Sequence, residues 1–230
     1  NLRSVKFFIK KMLFPGLDLH TRSRYRHLPP YFRGGELDTL DAGCGNGALA
    51  FAAYKKGNRV MGVSFDPEQV EKNREFLKYL GLDASRIVFQ ELNLYDLPKL
   101  GRFFDQIICS ETLEHITDDV RIIQSFYQLL RPGGVLHLCY PNALHPEHHL
   151  GRTNDPENGG HVRDGYTQDS YQRLLHPAGF RIVLSLGVGA PALVIVDRIL
   201  RTVRHHLGDA AAFPLFLLLS LLQPLDWLDP

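Results

Sequence analysis

The sequence predicts an α/β fold: a doubly wound, mostly parallel sheet with helices on both faces, plus N- and C-terminal helical additions. Three observations carry that prediction. From Glu36 onward, short apolar runs alternate with helical stretches, the pattern of a parallel sheet buried between helices. A glycine-rich turn, Gly43-Cys44-Gly45-Asn46-Gly47, joins the first apolar run to the first of those helices. Both chain ends depart from the alternation: the start mixes cations with apolar groups, and a run near the end is almost wholly apolar.

Residues 1–35 read as an N-terminal helical cap. Leu2 to Phe14 sets Arg3, Lys6, Lys10 and Lys11 among large apolar side chains before Pro15-Gly16, so an amphipathic helix is expected. A second helical piece follows between Leu17 and Pro29, carrying Arg22, Arg24, Tyr25 and Arg26.

Residues 36–187 read as the ligand-binding domain. Strands are expected at Leu37 to Asp41, Arg59 to Val63, Ile87 to Leu92, Phe104 to Cys109, Val135 to Tyr140 and Phe180 to Leu186. Helices are expected from Ala48 to Lys56, from Pro67 to Gly81, from Asp118 to Leu130 and from Gln168 to Leu175, with Pro132-Gly133-Gly134 as the turn into the fifth strand. Between the fifth strand and the next helix lies loop 141–166, rich in His, Asn, Pro and Gly. A loop this long inside a compact domain is functional or disordered.

Residues 188–230 read as C-terminal amphipathic and apolar helices. Leu193, Val196, Leu200, Val203 and Leu207 recur at helical spacing, with Asp197, Arg198, Arg201, Arg204 and His205 on the other side. The run Ala210 to Leu222 is too short to cross a bilayer core, which needs about 20 residues, and Pro214 interrupts it. It is expected to be buried or interfacial.

The formal net charge of +1 gives no electrostatic case for nucleic acid, and none is expected as a partner. Cys44, Cys109 and Cys139 fall at or near predicted strands and suggest no disulfide framework. No signal peptide is visible. A reducing, cytoplasmic setting is therefore expected, with peripheral contact at the inner face of a membrane through the basic N-terminal helix and residues 190–228.

Function turns on what the glycine turn holds. Gly43-Cys44-Gly45-Asn46-Gly47-Ala48 also satisfies the dinucleotide fingerprint, which leaves an NAD-dependent oxidoreductase as an alternative. Asp41 argues otherwise: an acid two residues before the first glycine would face a diphosphate, whereas it suits a cationic amino group. Leu40-Asp41-Ala42-Gly43-Cys44-Gly45-Asn46-Gly47 resembles motif I of the class I S-adenosylmethionine-dependent methyltransferases. The resemblance extends from Leu37 to Leu186 and is similar in kind to the branch containing ubiquinone-pathway O-methyltransferases.

That resemblance implies S-adenosylmethionine as cofactor and S-adenosylhomocysteine as product, held by Asp41, Gly43, Cys44, Gly45, Asn46 and Gly47. It also implies a ribose acid after the second strand. Here Ser64 stands at that place, and Phe65, Asp66 and Gln69 follow as candidate contacts. Asn93 stands where the family commonly carries an Asp at the adenine edge, with Leu94 and Phe65 to sandwich the ring. Ser110, Glu111 and His115 fall in the segment that passes the methionine part. Glu114 and His115 could be an acid/base pair, but neighbours on a helical turn face different directions, so the segment reads as architectural.

Methyl transfer from a sulfonium needs alignment, exclusion of water and, for some acceptors, removal of a proton. His145, His148, His149 and His161, with Arg163 and Tyr166, are the candidate catalytic groups. They lie in the loop at the carboxyl ends of the strands, and imidazole suits a phenol or hydroxyl proton. His145, His148 and His149 lack both i,i+4 pairing and cysteine partners, so no metal site is expected. The reading is an enzyme that methylates an oxygen of a small or lipid-linked molecule. A catalytically inactive cofactor-binding module is the non-enzymatic alternative.

Overall fold

The computed structural model describes residues 7–8, 11, 13–15, 19–144, 160–187 and 191–220. The chain divides into two compact units, one formed by residues 32–184 and the other by residues 1–31 with 185–230.

In the unit of residues 32–184 the strands are β1 (Asp38–Ala42), β2 (Arg59–Ser64), β3 (Ile87–Glu91), β4 (Phe104–Ser110) and β5 (Leu130–Cys139). They form one sheet in the order β3-β2-β1-β4-β5. Every pairing is parallel. The order reverses between β1 and β4, so the crossovers lie on opposite faces and a crevice opens at the carboxyl ends of those two strands. Burial on both faces explains the continuous apolar runs: Leu40, Ala42, Val63, Ile87, Ile107 and Ile108 are all fully enclosed. The turn expected at Pro132-Gly133-Gly134 lies inside β5 as a bulge, because Phe104 pairs with Leu130 while Gln106 pairs with Val135.

The helices follow their sequence signals. In chain order α1 is Leu19–His27, α2 is Ala48–Lys55, α3 is Pro67–Leu80, α4 is Asp119–Leu129, α5 is Gln168–Leu175 and α6 is Pro191–Ser220. The alanines of α2 (Ala48, Ala50, Ala52 and Ala53) are buried, small enough to pack close to the strands. Asp66 caps α3 by accepting hydrogen bonds from the Glu68 and Gln69 amides, Pro67 occupies its first turn, and Gly81 closes it at φ 64°. Asp118 caps α4, which buries Ile122, Ile123, Phe126 and Leu129.

The sixth expected strand does not form: residues 180–187 carry no regular structure. Val183 is 84% exposed, and Leu184 and Leu186 are also exposed. A strand exists only where a neighbouring backbone completes its hydrogen bonds, and apolar composition alone does not supply one.

In the other unit, Phe7, Phe8, Lys11 and Leu13 are helical and α1 follows. Gly208 interrupts α6 at φ 80°, ψ 174°. Leu200, Ala212 and Phe216 belong to one buried cluster joined by Val196, Val203 and Leu215. In a straight helix Leu200 and Phe216 would stand roughly 24 Å apart, so the chain must fold back at Gly208. Part of the apolar tail is thereby covered within its own unit, with the Arg22 guanidinium 4.7 Å from the Phe216 ring centre. Leu207 and Leu218 remain exposed. Among the described residues, no helix is long and apolar enough to cross a membrane.

Candidate functional site

The glycine turn leaves the carboxyl end of β1 and is fixed from three sides. Gly43 and Cys44 donate their amides to the Val63 carbonyl at 3.0 and 2.9 Å, which ties the turn to β2. Gly43 and Gly47 adopt φ 77° and 78°, the left-handed region that favours glycine. Each also meets a neighbour: a Cβ on Gly43 would collide with the Thr112 side chain, and one on Gly47 would lie 2.7 Å from the Phe89 ring. From below, Asn73 Nδ2 donates to the Gly45 carbonyl at 2.8 Å, and Gln69 Nε2 donates to Asn73 Oδ1 at 3.1 Å. Asn46 Oδ1 accepts from the Ala48 amide at 3.1 Å and helps start α2.

Asp41 is 2% exposed, and its Oδ2 accepts from the Ala50 amide at 2.8 Å. Burial pushes its carboxyl up to about 7, against the opposing pull of that amide. The acid therefore lies under the turn at the start of α2. Burial also pushes the Cys44 thiol well up, so this cysteine is a packing residue.

The candidate ribose contacts have hydrogen-bond partners within the chain. Ser64 is buried and its Oγ accepts from the Asp66 amide at 3.2 Å. The Asp66 carboxylate caps α3, and Gln69 braces Asn73, so both side chains have backbone-supporting tasks. Phe65 is 66% exposed. Asn93 is exposed and caps the 3-10 helix Leu94–Leu100 by accepting from the Tyr95 amide. Leu94 is part of the main apolar core.

After β4 the chain takes a strained turn. Glu111 has φ 51°, unusual for a residue with a Cβ, and its amide donates to the Cys139 carbonyl at 2.9 Å. Its Oε1 accepts from the Cys139 thiol at 3.7 Å. Ser110 Oγ is buried without a hydrogen-bond partner among the described residues. Leu113–His115 form a single 3-10 turn.

Segment 160–166 docks on that turn. The Glu114 carbonyl accepts from the Val162 amide at 2.8 Å, and Gly160 places its carbonyl 3.1 Å from His115 Nδ1. The His115 and His161 rings meet edge to face at 4.6 Å. Glu114 is 1% exposed, and its Oε1 lies 3.9 Å from His115 Nε2. The expectation that Glu114 and His115 face different directions is not met at their polar ends, since Glu114 Oε1 and His115 Nε2 come within 3.9 Å of each other. One ligand atom from each of Glu114, His115 and His161 falls within 4.8 Å of the others.

Arg163 and Tyr166 anchor the segment. Arg163 Nη1 donates to Asp119 Oδ2 (2.6 Å), to the Leu113 carbonyl (3.1 Å) and to Tyr166 Oη (2.7 Å). Tyr166 donates its hydroxyl to Asp119 Oδ2 at 2.7 Å. Burial and that bond push the Tyr166 phenol far above its usual range. Their polar groups are committed to this network, which suits positioning better than proton transfer. His145, His148 and His149 lie outside the described residues.

Sequence reasoning missed Asn73, Thr112 and Asp119. Each acts through a fold contact, and only Asp119, at the start of a helix, lies beside a readable capping signal.

The backbone at Gly45 is exposed, and a Cβ there would meet nothing within 4 Å, so a ligand can approach the main chain between the Asp41 end of β1 and the segment after β4. Together the strand order and this cradle suit a nucleoside-bearing ligand held where the order reverses between β1 and β4. The chain belongs to the methyltransferase domain family, whose profile matches residues 18–185.

The ubiquinone biosynthesis O-methyltransferase of Histophilus somni is 39% identical over 103 residues, covering 44% of this chain and 43% of that protein. A probable S-adenosylmethionine-dependent methyltransferase of Mycolicibacterium smegmatis is 30% identical over 151 residues, 66% of this chain and 54% of its own. The chain spans about half the length of these curated relatives. An S-adenosylmethionine-dependent methyltransferase structure from Mesorhizobium loti superposes with a TM-score of 0.59 at 19% identity, covering 77% of this chain and 90% of its own. Magnesium protoporphyrin IX methyltransferase from Synechocystis, solved with its cofactor, gives 0.53 at 19% identity, covering 75% and 72%. At such identities the structural likeness speaks for the fold alone.

Proposed function

We propose that this chain transfers a methyl group to an oxygen of a small or lipid-linked molecule. The observation that carries the reading is the contact between Gly43 and Thr112, which joins the cofactor turn to the segment bearing Glu114 and His115. An acceptor entering at the carboxyl ends of β4 and β5 would meet both. The similarity to ubiquinone O-methyltransferases supports oxygen as the target.

The residues that would hold the cofactor are Asp41, the turn from Gly43 to Gly47, Phe65 at the mouth, Asn93, and Ser110 with Glu111. When bound, S-adenosylmethionine supplies a methyl carbon made electrophilic by its sulfonium. The chain's part is to align the acceptor, exclude water and take the proton. The firmly docked segment 160–166 supports the first two tasks.

A lipid-linked acceptor is supported by the second unit. Helix α6 exposes Ile199, Leu207 and Leu218 together with Arg198 and Arg204, a mixture suited to an anionic bilayer surface. The N-terminal helix and residues 190–228 are the proposed contact.

Methyl transfer from labelled S-adenosylmethionine to a panel of phenols, quinols and sugars tests the reading. Oxygen-methylated product from a phenol or quinol supports it, whereas product only on nitrogen or carbon overturns the oxygen assignment.

A further inference from the structure

We propose that Asn73 is a positioning residue for the cofactor: it selects the orientation of the Gly45–Asn46 peptide and so turns the Asn46 amide towards the carboxylate of the cofactor's amino acid part. The assignment rests on the cofactor site proposed above and adds a residue that lies beneath it.

The turn has two conformations open to it. Cys44 to Gly47 form a β-turn closed by the Gly47 amide, which donates to the Cys44 carbonyl at 2.8 Å. Gly45 has φ 46°, and among the described residues Glu111 alone carries a Cβ at positive φ, so Asn46 stands at negative φ. That combination is a type II′ turn. The alternative, type I′, differs by a half-turn of the peptide between the two residues and needs positive φ at both, which glycine and asparagine tolerate. The sequence Gly45-Asn46 therefore leaves the choice to its surroundings.

Asn73 makes that choice. It is 2% exposed on α3, and its Nδ2 donates to the Gly45 carbonyl at 2.8 Å. Gln69, one turn earlier on the same helix, donates from Nε2 to Asn73 Oδ1 at 3.1 Å, which fixes the amide with its donors towards the turn. The Cys44 thiol lies 4.0 Å from the same carbonyl. A half-turn of the peptide would take the Gly45 oxygen out of this buried knot and cost a buried donor its oxygen acceptor.

The consequence lies on the other side of the peptide. In a planar trans peptide the carbonyl and the following N–H point in opposite directions. With the Gly45 oxygen drawn down to α3, the Asn46 N–H points up, beside the exposed backbone of Gly45. After a half-turn, the same place would present a carbonyl oxygen. S-adenosylmethionine carries an ammonium and a carboxylate on one carbon. With Asp41 proposed for the ammonium, the carboxylate beside it needs a donor, and a carbonyl oxygen there would repel it.

The test is calorimetric and uses two ligands, S-adenosylhomocysteine and S-adenosyl-3-thiopropylamine, which keeps the ammonium and lacks the carboxylate. Asn73→Leu, close in shape but unable to donate, should weaken S-adenosylhomocysteine at least ~tenfold, the scale of one charged hydrogen bond, and the second ligand less than about threefold. Asn46→Thr closes the route to type I′, because a β-branched residue resists positive φ, and its hydroxyl can still accept from the Ala48 amide. In that background Asn73→Leu should cost S-adenosylhomocysteine less than about threefold. Asn73→Ala covers the case in which leucine does not fit. In the ligand-free protein, NMR should show a strong contact between a Gly45 α-proton and the Asn46 amide proton, the mark of the type II′ turn, and Asn73→Leu should weaken it.

Four results overturn the proposal: no loss in the Asn73 variants, equal losses for both ligands, the same tenfold loss in the Asn46→Thr background, or an unchanged NMR contact in Asn73→Leu. The second would make Asn73 a support of the fold alone. If wild type binds neither ligand, the cofactor reading fails separately, and the NMR contact still decides whether Asn73 sets the peptide.

Discussion

Gly43 and Thr112 lie so close that a single added carbon on Gly43 would overlap the threonine side chain. This contact couples the turn after β1 to the segment after β4. Gly43→Ala should therefore weaken S-adenosylhomocysteine binding more than tenfold, through backbone strain on the order of 1–3 kcal/mol at φ 77° together with the clash. Thr112→Gly in the same chain should recover part of the loss, measured by calorimetry. No recovery would show that the clash contributes nothing.

Asp41 lends itself to a comparison of two substitutions. Asp41→Asn keeps an oxygen for the Ala50 amide but removes the charge, whereas Asp41→Ala removes both. If the charge holds the cofactor's ammonium, both variants should lose more than tenfold in affinity, given about 1.5–3 kcal/mol for a charged hydrogen bond. Retained affinity in Asp41→Asn would assign the residue to the turn alone.

The same residue predicts a pH dependence. Its folded-state pKa, about 7, stands above the ordinary value of 3.8, so the native state holds the proton more tightly than the unfolded chain. The stability from this group is fully present below about 4 and is lost as pH rises through about 7. Ligand-free wild type should therefore lose stability across that window relative to Asp41→Asn, as followed by denaturant unfolding.

Asp66 should separate helix from site. Since its carboxylate caps α3, Asp66→Ala should cost about 0.5–2 kcal/mol of stability while S-adenosylhomocysteine affinity holds steady. A large loss of affinity at unchanged stability would return Asp66 to the ribose.

The chain ends predict membrane behaviour. Full-length protein should float with anionic vesicles, release as salt shortens the screening length below about 10 Å, and stay behind when residues 208–230 are deleted. Indifference to vesicles would remove the main support for a lipid-linked acceptor.

The five central strands were legible because burial on both faces demands continuous apolar runs, and their bounds moved by a residue or so, the bulge in β5 aside. Phe180 to Leu186 has the same composition but no partner backbone, which a sequence does not display. The glycine turn was legible for the same reason that it works: its left-handed angles demand glycine. Asp66 and Gln69 were chemically suitable ligands, yet their hydrogen bonds go to a helix end and to Asn73. Glu114 and His115 were set aside on helical geometry, yet their polar ends approach within 3.9 Å, because the direction of a backbone bond does not fix where a long side chain ends.

The most direct measurement is calorimetric titration of S-adenosylhomocysteine and NAD, side by side, into the wild-type protein. The structure predicts saturable, single-site binding of S-adenosylhomocysteine that Gly43→Ala weakens more than tenfold, and no heat from NAD. Binding of NAD with none of S-adenosylhomocysteine would contradict the account at its centre.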